Sequence, residues 1–286
     1  MRQRKTILIT GTSSGIGRAT AFHFQRQGWQ VIATMRSPEH ETELNRLPGV
    51  ICLGLDVNDD ASIRMAVSEA IARAGHIDVL LNNAGYALMG PFECVSDEQV
   101  RRQFDTNVFG LMAVTRAVLP HFRARGEGLV INVSSMVGRI PLPLYSVYNA
   151  SKFAVEGYTE GLSYELESLG IRVKLIEPGA VKTNFFGRSS DRAADTGIRD
   201  YDRFAGEMLG VMDRIGAAGS TSEQAAEVIW QAANDDSTRL RYLVGVDAHA
   251  MVASRQLLPN RLFRAMIRFS LSDVAFRTAG RLLYRG

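Results

Sequence analysis

The sequence has little of what would hold a secreted or metal-dependent protein together. Only two cysteines, Cys52 and Cys94, stand among its 286 residues. They make neither a disulfide framework nor a C-x-x-C pair, which points to a reducing, cytoplasmic setting. Five histidines, at positions 23, 40, 76, 121 and 249, lack metal-ligand spacing, so no catalytic metal is expected. No stretch approaches the ~18 to 20 apolar residues of a membrane span. The run Ile7-Leu8-Ile9 behind the basic N-terminus is too short for a signal peptide. A soluble chain, or one that at most lies on a membrane, is the expectation.

Net charge is small too, at +3, and it is unevenly placed. Residues 249–286 hold seven arginines (255, 261, 264, 268, 277, 281 and 285), no lysine and one acid, Asp273. That segment is therefore +6 and residues 1–248 are −3, so the basic balance is no argument for a nucleic-acid-binding domain.

What is present is alternation. Apolar, β-branched runs at Thr6–Thr10, Gln30–Met35, Val50–Asp56, Val79–Asn82, Leu129–Ser134, Arg172–Glu177 and Arg241–Val246 read as strands. Several are almost continuously apolar, as strands covered on both faces must be. Between them, helical patterns run over Gly17–Gln27, Asp60–Ala74, Asp97–Arg125, Val147–Leu169 and Ser222–Asn234. The expected fold is a single doubly wound, Rossmann-type α/β domain over residues 1–248, with a mainly seven-stranded parallel sheet. Two segments depart from the alternation. The glycine-rich segment 184–219 has the length of a mobile binding loop. Residues 249–286 read as a basic helical extension, with Leu258, Leu262, Met266 and Phe269 at helical spacing and Arg261, Arg264 and Arg268 on another face.

The first strand runs into Gly11-Thr12-Ser13-Ser14-Gly15-Ile16-Gly17. Glycines there suit a tight turn whose backbone approaches a pyrophosphate, with a helix N-terminus aimed at the charge. The end of the second strand selects the dinucleotide. An acid at that place bonds the ribose 2′-hydroxyl of NAD, whereas an arginine accommodates a 2′-phosphate. Here Met35 is followed by Arg36, with no acid before Glu39, which favours NADP(H).

Tyr148 and Lys152 are four residues apart and share one helix face. An ammonium beside a phenol stabilises the phenolate, so Tyr148 is a candidate acid–base group. Thirteen residues earlier, Ser135 follows the end of the fifth strand, where open parallel sheets place ligands. Asn107 is a polar residue among apolar ones; structural bonding and a proton relay are both open for it.

These residues come in an order that resembles the short-chain dehydrogenases/reductases: Gly11-x-x-x-Gly15-x-Gly17, Asn82-Asn83-Ala84-Gly85, Asn107, Ser135, Tyr148-x-x-x-Lys152 and Pro178-Gly179. The resemblance covers about residues 5–248. It implies that Ser135 polarises a substrate carbonyl, that Tyr148 is the acid–base, and that Lys152 bonds the nicotinamide ribose and lowers the pKa of Tyr148. Asn107 would hold a water linking Lys152 to solvent. Gly11, Ser13, Ser14, Gly15, Ile16 and Gly17 would cradle the phosphates, and Asp56 and Val57 would border the adenine. Asn83, Ala84 and Gly85 would support the ribose. Pro178, Gly179, Val181 and Thr183 would meet the nicotinamide end, and 184–219 would be the substrate loop. Ser14 stands where some members carry a second basic residue, so preference for NADP(H) would rest on Arg36. Ser134 and Tyr145 are the neighbouring decoys, Tyr145 lacking a lysine one turn on.

The apolar residues Met89, Val137, Leu142, Leu144, Tyr145, Phe185 and Phe186 are expected at the cleft. With the run Ala33-Thr34-Met35-Arg36 and the helical tail, they resemble the branch holding 17β-hydroxysteroid and retinol dehydrogenases, which implies a bulky hydrophobic alcohol or ketone. A homo-oligomer is expected. The tail is left with three roles: covering the pocket or supporting a dimer, lying on an anionic membrane, or capping the sheet. A regulatory NADP(H) binder without turnover is the alternative function.

Overall fold

Every residue of β1 (Thr6–Thr10) is buried, so this strand needs cover on both faces. Successive side chains of a strand point to opposite faces, and the two cores divide accordingly. Ile7 and Ile9 pack with Phe24, Val31, Ala33, Ile131 and Ile229 on one side of the sheet. Leu8 packs with Ile32, Ile63, Leu80, Val118, Phe122 and Val130 on the other.

The computed structural model describes residues 4–182, 190–193 and 198–270. After β1 come α1 (Gly15–Arg26), β2 (Gln30–Met35), β3 (Val50–Gly54), α2 (Asp60–Ala74) and β4 (Val79–Asn82). Next follow β5 (Ala87–Met89), α3 (Asp97–Phe104), α4 (Leu111–Arg125), β6 (Gly128–Val133), α5 (Ser146–Glu167) and β7 (Ile171–Pro178). The last part holds β8 (Val181–Lys182), β9 (Ser190–Arg192), α6 (Asp202–Ala218), β10 (Ser220–Thr221), α7 (Ser222–Asn234), β11 (Arg241–Val244), α8 (Val246–Leu257) and α9 (Asn260–Ser270).

Seven strands form one parallel sheet in the order β11-β7-β6-β4-β1-β2-β3. The chain winds outward from β1 to β3, then returns to place β4 on the other side of β1. That reversal opens a crevice at the carboxyl ends of β1 and β4, the place where such sheets bind ligands. Helices α1 and α7 cover one face, and α2, α4 and α5 the other. Their starts are capped locally: Asp59 accepts from Ala61 N, and Ser96/Gln99 and Thr221/Gln224 form capping boxes on α3 and α7.

Several expected boundaries move. The helix expected over 97–125 is interrupted at residues 105–110 by a π-helical turn centred on Asn107. Such a widened turn inserts a residue and re-aims the side chains around it. The third strand stops at Gly54, short of Asp56, whose backbone N–H is taken by Ser62 Oγ. The last strand stops at Val244 rather than Val246. Gly245 sits at φ 94°, a region glycine reaches without strain, and turns the chain directly into α8. The expected extension therefore joins the sheet three residues earlier, and α8 and α9 are both helical. Within the expected loop 184–219, residues 202–218 are the helix α6, whose Met208, Val211 and Met212 are buried. Among the described residues no helix is long and apolar enough to cross a membrane.

Phe122 is fully buried beneath the sheet and lies across Gly128, where a Cβ would strike its ring. Phe122→Ala is expected to cost about 3–5 kcal/mol of stability in denaturant melts. A loss below about 1 kcal/mol would show that this core collapses to fill the space.

Candidate active site

The crevice at the switch point is tied together by hydrogen bonds from one strand end to the other. Thr10 Oγ1, at the end of β1, accepts from the backbone N–H of Asn83 (2.9 Å) and of Ala84 (3.0 Å), just beyond β4. Asn83 Nδ2 donates back to the carbonyls of Thr10 (2.9 Å) and Gly11 (3.0 Å). Gly11 and Gly15 take positive φ, 72° and 58°, as the turn requires. A Cβ at Gly11 would come within 2.9 Å of Ala84 Cα, and one at Gly17 would collide with Asn83 Nδ2 and the Gly11 carbonyl. Gly17 thus packs behind the turn, while Gly11, Ser13, Ser14, Gly15 and Ile16 line the cleft. Ser14 makes no side-chain cap on α1, and the first turn carries no acid. The helix start therefore presents its N–H groups and positive dipole end to the cleft without a protein anion in place.

The opposite wall comes from β6, α5 and β7. Ser134 N–H donates to Ile176 O at 2.8 Å, extending the β6–β7 ladder to the position before Ser135. Ser135 Oγ donates to Pro178 O (3.2 Å), accepts from Val137 N–H (3.3 Å) and lies within hydrogen-bond reach of the Tyr148 hydroxyl. Tyr148 and Lys152 project from the first turns of α5. The helix is entered through Leu144, held at φ 62°, whose carbonyl accepts from Gly90 N–H at 2.8 Å. A left-handed leucine costs roughly 1–3 kcal/mol, so the surroundings impose this bend that aims Tyr145 and Tyr148 at the cleft.

Lys152 is buried, its Nζ donating to Val133 O at 2.9 Å and lying 5.8 Å from the Tyr148 ring centre. Burial pushes its ammonium down to about 8, opposed by the carboxylate of Glu156 one turn on. Burial and the neighbouring Tyr145 hold the Tyr148 hydroxyl well above its ordinary value, and the Ser135 bond only partly offsets them. The ammonium is spent on a backbone carbonyl, and desolvation of the phenol dominates.

Asn107 does not line the cleft. It is buried, accepts from Tyr86 N–H (3.1 Å), and donates to Tyr86 O (2.9 Å) and Ser151 Oγ (3.3 Å). It fastens the chain after Gly85 to α5, and a Cβ on Gly85 would lie 3.0 Å from Asn107 Oδ1.

These walls enclose a cleft of about 770 Å³. It gathers Arg36, Asp56, Val57, Asn83, Ala84, Gly85, Ser135, Tyr148, Lys152, Pro178, Gly179 and Val181 with the glycine turn. Arg36 is exposed at its edge. Asp56 Oδ1 accepts from Asn58 N–H at 3.0 Å, bending the chain that follows β3 around the cleft. Thr183, Phe185 and Phe186 lie outside the described residues. Of the expected pocket residues, Val137, Leu142 and Tyr145 line the cleft, whereas Met89 and Leu144 are buried behind it. Met212 and Ile215 of α6 and Met251 of α8 complete the apolar wall. They escaped sequence reading because they come from helices distant in sequence, and no motif marks them.

The cradle fits a nicotinamide dinucleotide: small residues where phosphates must approach, an uncapped helix start, and an ammonium beside two hydroxyls. A parallel sheet with such a crevice, walled by Ser135, Tyr148 and Lys152, defines a nucleotide-binding oxidoreductase. The family model for short chain dehydrogenases matches residues 5–194, and the chain belongs to that family, which uses a nicotinamide cofactor. An uncharacterized oxidoreductase of Schizosaccharomyces pombe is 39% identical over 81% of this chain and 97% of its own length. The 3-ketodihydrosphingosine reductase of Bacteroides thetaiotaomicron is 42% identical over 64% of this chain and 66% of its own. A short-chain dehydrogenase from Streptomyces avermitilis superposes with a TM-score of 0.80 at 32% identity, covering 98% of both chains.

Gly17→Ala tests the cradle. The added methyl must displace Asn83 or Gly11, and kcat/KM is expected to fall roughly 10²-fold, the scale of an ångström-sized misplacement. Wild-type kinetics in this variant would mean the turn yields without consequence for the nucleotide.

Proposed function

We propose that this enzyme interconverts a ketone or aldehyde with its alcohol, using NADP(H), on a bulky apolar substrate of steroid, retinoid or lipid kind. The carrying observation is the pair of hydroxyls of Ser135 and Tyr148, within hydrogen-bond reach of each other at the wall of an apolar cleft. When bound, the nicotinamide supplies or accepts the hydride. Ser135 holds and polarises the substrate oxygen. Tyr148, kept protonated by burial, delivers its proton to that oxygen as it becomes an alcohol, or takes one in the reverse direction. Lys152 stabilises the phenolate left behind and bonds the nicotinamide ribose. Asn107 acts from behind, holding Tyr86 and Ser151 and carrying a water toward Lys152.

Arg36 meets the 2′-phosphate, since no carboxylate stands at that position and its fork of donors matches phosphate. Gly11, Ser13, Ser14, Gly15, Ile16 and Gly17 form the pyrophosphate cradle, and Asp56 and Val57 border the adenine. Asn83, Ala84 and Gly85 support the adenosine ribose. Pro178, Gly179, Val181 and Thr183 meet the nicotinamide end. The substrate class is supported by the apolar wall of Val137, Leu142, Tyr145, Met212, Ile215 and Met251, and by a relative named for reduction of a keto-lipid. Exposed Phe109 of the 105–110 turn, with Phe153 and Tyr164 three turns apart on α5, supplies apolar surface suited to a homo-oligomer contact. Cys52 and Cys94, neither of them in a disulfide, fit the cytoplasm.

Three outcomes test this reading. Tyr148→Phe is expected to lower kcat about 10²–10⁴-fold with NADPH binding retained; near-wild-type turnover would remove Tyr148 from the chemistry. Arg36→Asp is expected to weaken NADPH binding about 10- to 100-fold while NADH gains, since a hydrogen bond to a charged group is worth about 1.5–3 kcal/mol. Unchanged NADPH affinity would release Arg36 from the phosphate. The third concerns pH. Lys152 loses its proton as pH rises through about 8, whereas Tyr148 stays protonated to higher pH. Carbonyl reduction should therefore fall as pH rises through that value, and a flat profile to pH ~10 would contradict a charged Lys152 as the working form.

A further inference from the structure

Beside the catalytic cleft lies a second hollow, of about 730 Å³. Its apolar walls are Pro143, Phe204, Met208, Val211, Phe263 and Ile267, from the turn before α5 and from α6 and α9. Arg255, Arg264 and Arg268 border the same hollow, and all three are exposed. Greasy walls under exposed guanidinium groups suit one chemistry: a hydrocarbon chain joined to an anionic head.

Helix α9 repeats that division around its own axis. Phe263 is buried with Ile140 and Val252, and Met266 and Ile267 pack against the same cluster. Arg261, Arg264 and Arg268 occupy the outward side, three and four residues apart, and Leu262 is exposed beside them. Leu257, at the end of α8, is also exposed. Residues 249–270 contain four arginines, no lysine and no acid. The one carboxylate among the described residues that lines the hollow, Glu207 of α6, is paired with Arg203 one turn earlier. Among the described residues no carboxylate pairs with Arg261, Arg264 or Arg268. Residues 271–286 carry three arginines against Asp273, the same sign as the face, so charge does not draw them into it.

We propose that this face docks on an anionic phospholipid surface. The arginines meet the headgroup phosphates, Leu257 and Leu262 enter the acyl boundary, and the hollow takes one lipid chain. Helix α6 is the wall between hollow and cleft, with Met208 and Val211 on one side and Met212 and Ile215 on the other. Ser270, at the end of α9, borders the cleft itself. Docking therefore brings the bilayer to the mouth of the active site. That the bilayer supplies the substrate rests on the apolar-substrate reading above; the docking itself does not.

The test is cosedimentation of the full chain with vesicles of phosphatidylcholine alone and with about 30% phosphatidylserine. Binding is expected only to the anionic vesicles, and is expected to disappear near 1 M salt, where the screening length is about 3 Å. Arg264→Gln/Arg268→Gln should weaken partitioning on the order of 10-fold. Leu262→Asp should weaken it as well. Both variants should melt as the wild type does and bind NADPH unchanged, which separates this test from the catalytic one. Equal binding to both vesicle types, or anionic binding untouched by these substitutions, would overturn the proposal. So would a chain that ignores vesicles but whose oligomer dissociates on Arg264→Gln/Arg268→Gln, assigning the face to a second copy.

Discussion

The mutual hydrogen bonding of Thr10 and Asn83 is the constraint on which the rest of the molecule depends. Strands β1 and β4 are neighbours whose chains leave the sheet in opposite directions, and the crevice between them needs a floor that does not spread. Thr10 Oγ1 and the Asn83 amide supply it with four bonds. Because Asn83 also fills the space behind Gly17, the start of α1 is fixed against the end of β4. The direction of the helix dipole, and hence where a pyrophosphate rests, follows from that contact.

The catalytic wall depends on the same geometry at one remove. Asn107 bonds both backbone groups of Tyr86 and reaches Ser151 on α5, joining the floor of the crevice to the helix that carries Tyr148 and Lys152. The helix over 97–125 is not regular: its π turn at 105–110 holds the buried Asn107. Burial then sets the chemistry. It lowers the lysine and raises the tyrosine, so at neutral pH the phenol stays protonated and the ammonium stays charged. Desolvation is the largest influence on both groups.

Much of this was legible in the residues. The nearly continuous apolar, β-branched runs identified the seven main strands, since a strand covered on both faces has to be apolar throughout. Gly11, Gly15 and Gly17 announced the turn because only glycine meets its φ values and close approaches. Tyr148, Lys152 and Ser135 were recoverable from spacing because a helix turn and a strand end are local. Val57 and Gly85, by contrast, depended on family likeness, and Met212, Ile215 and Met251 were not found at all. Their place at the cleft is a consequence of how α6 and α8 pack, and packing leaves no local signature.

The sequence by itself determined the sheet, the glycine turn and the pairing of Tyr148 with Lys152 on one helix face, since each rests on short-range sterics and spacing. Only the tertiary structure decided the protonation balance of Tyr148 and Lys152, because burial is a property of every element packed around them. It also decided how α9 lies against the fold. Composition makes that segment basic, but the contacts of Phe263 with Ile140 and Val252 leave Arg261, Arg264 and Arg268 on the exposed side of α9.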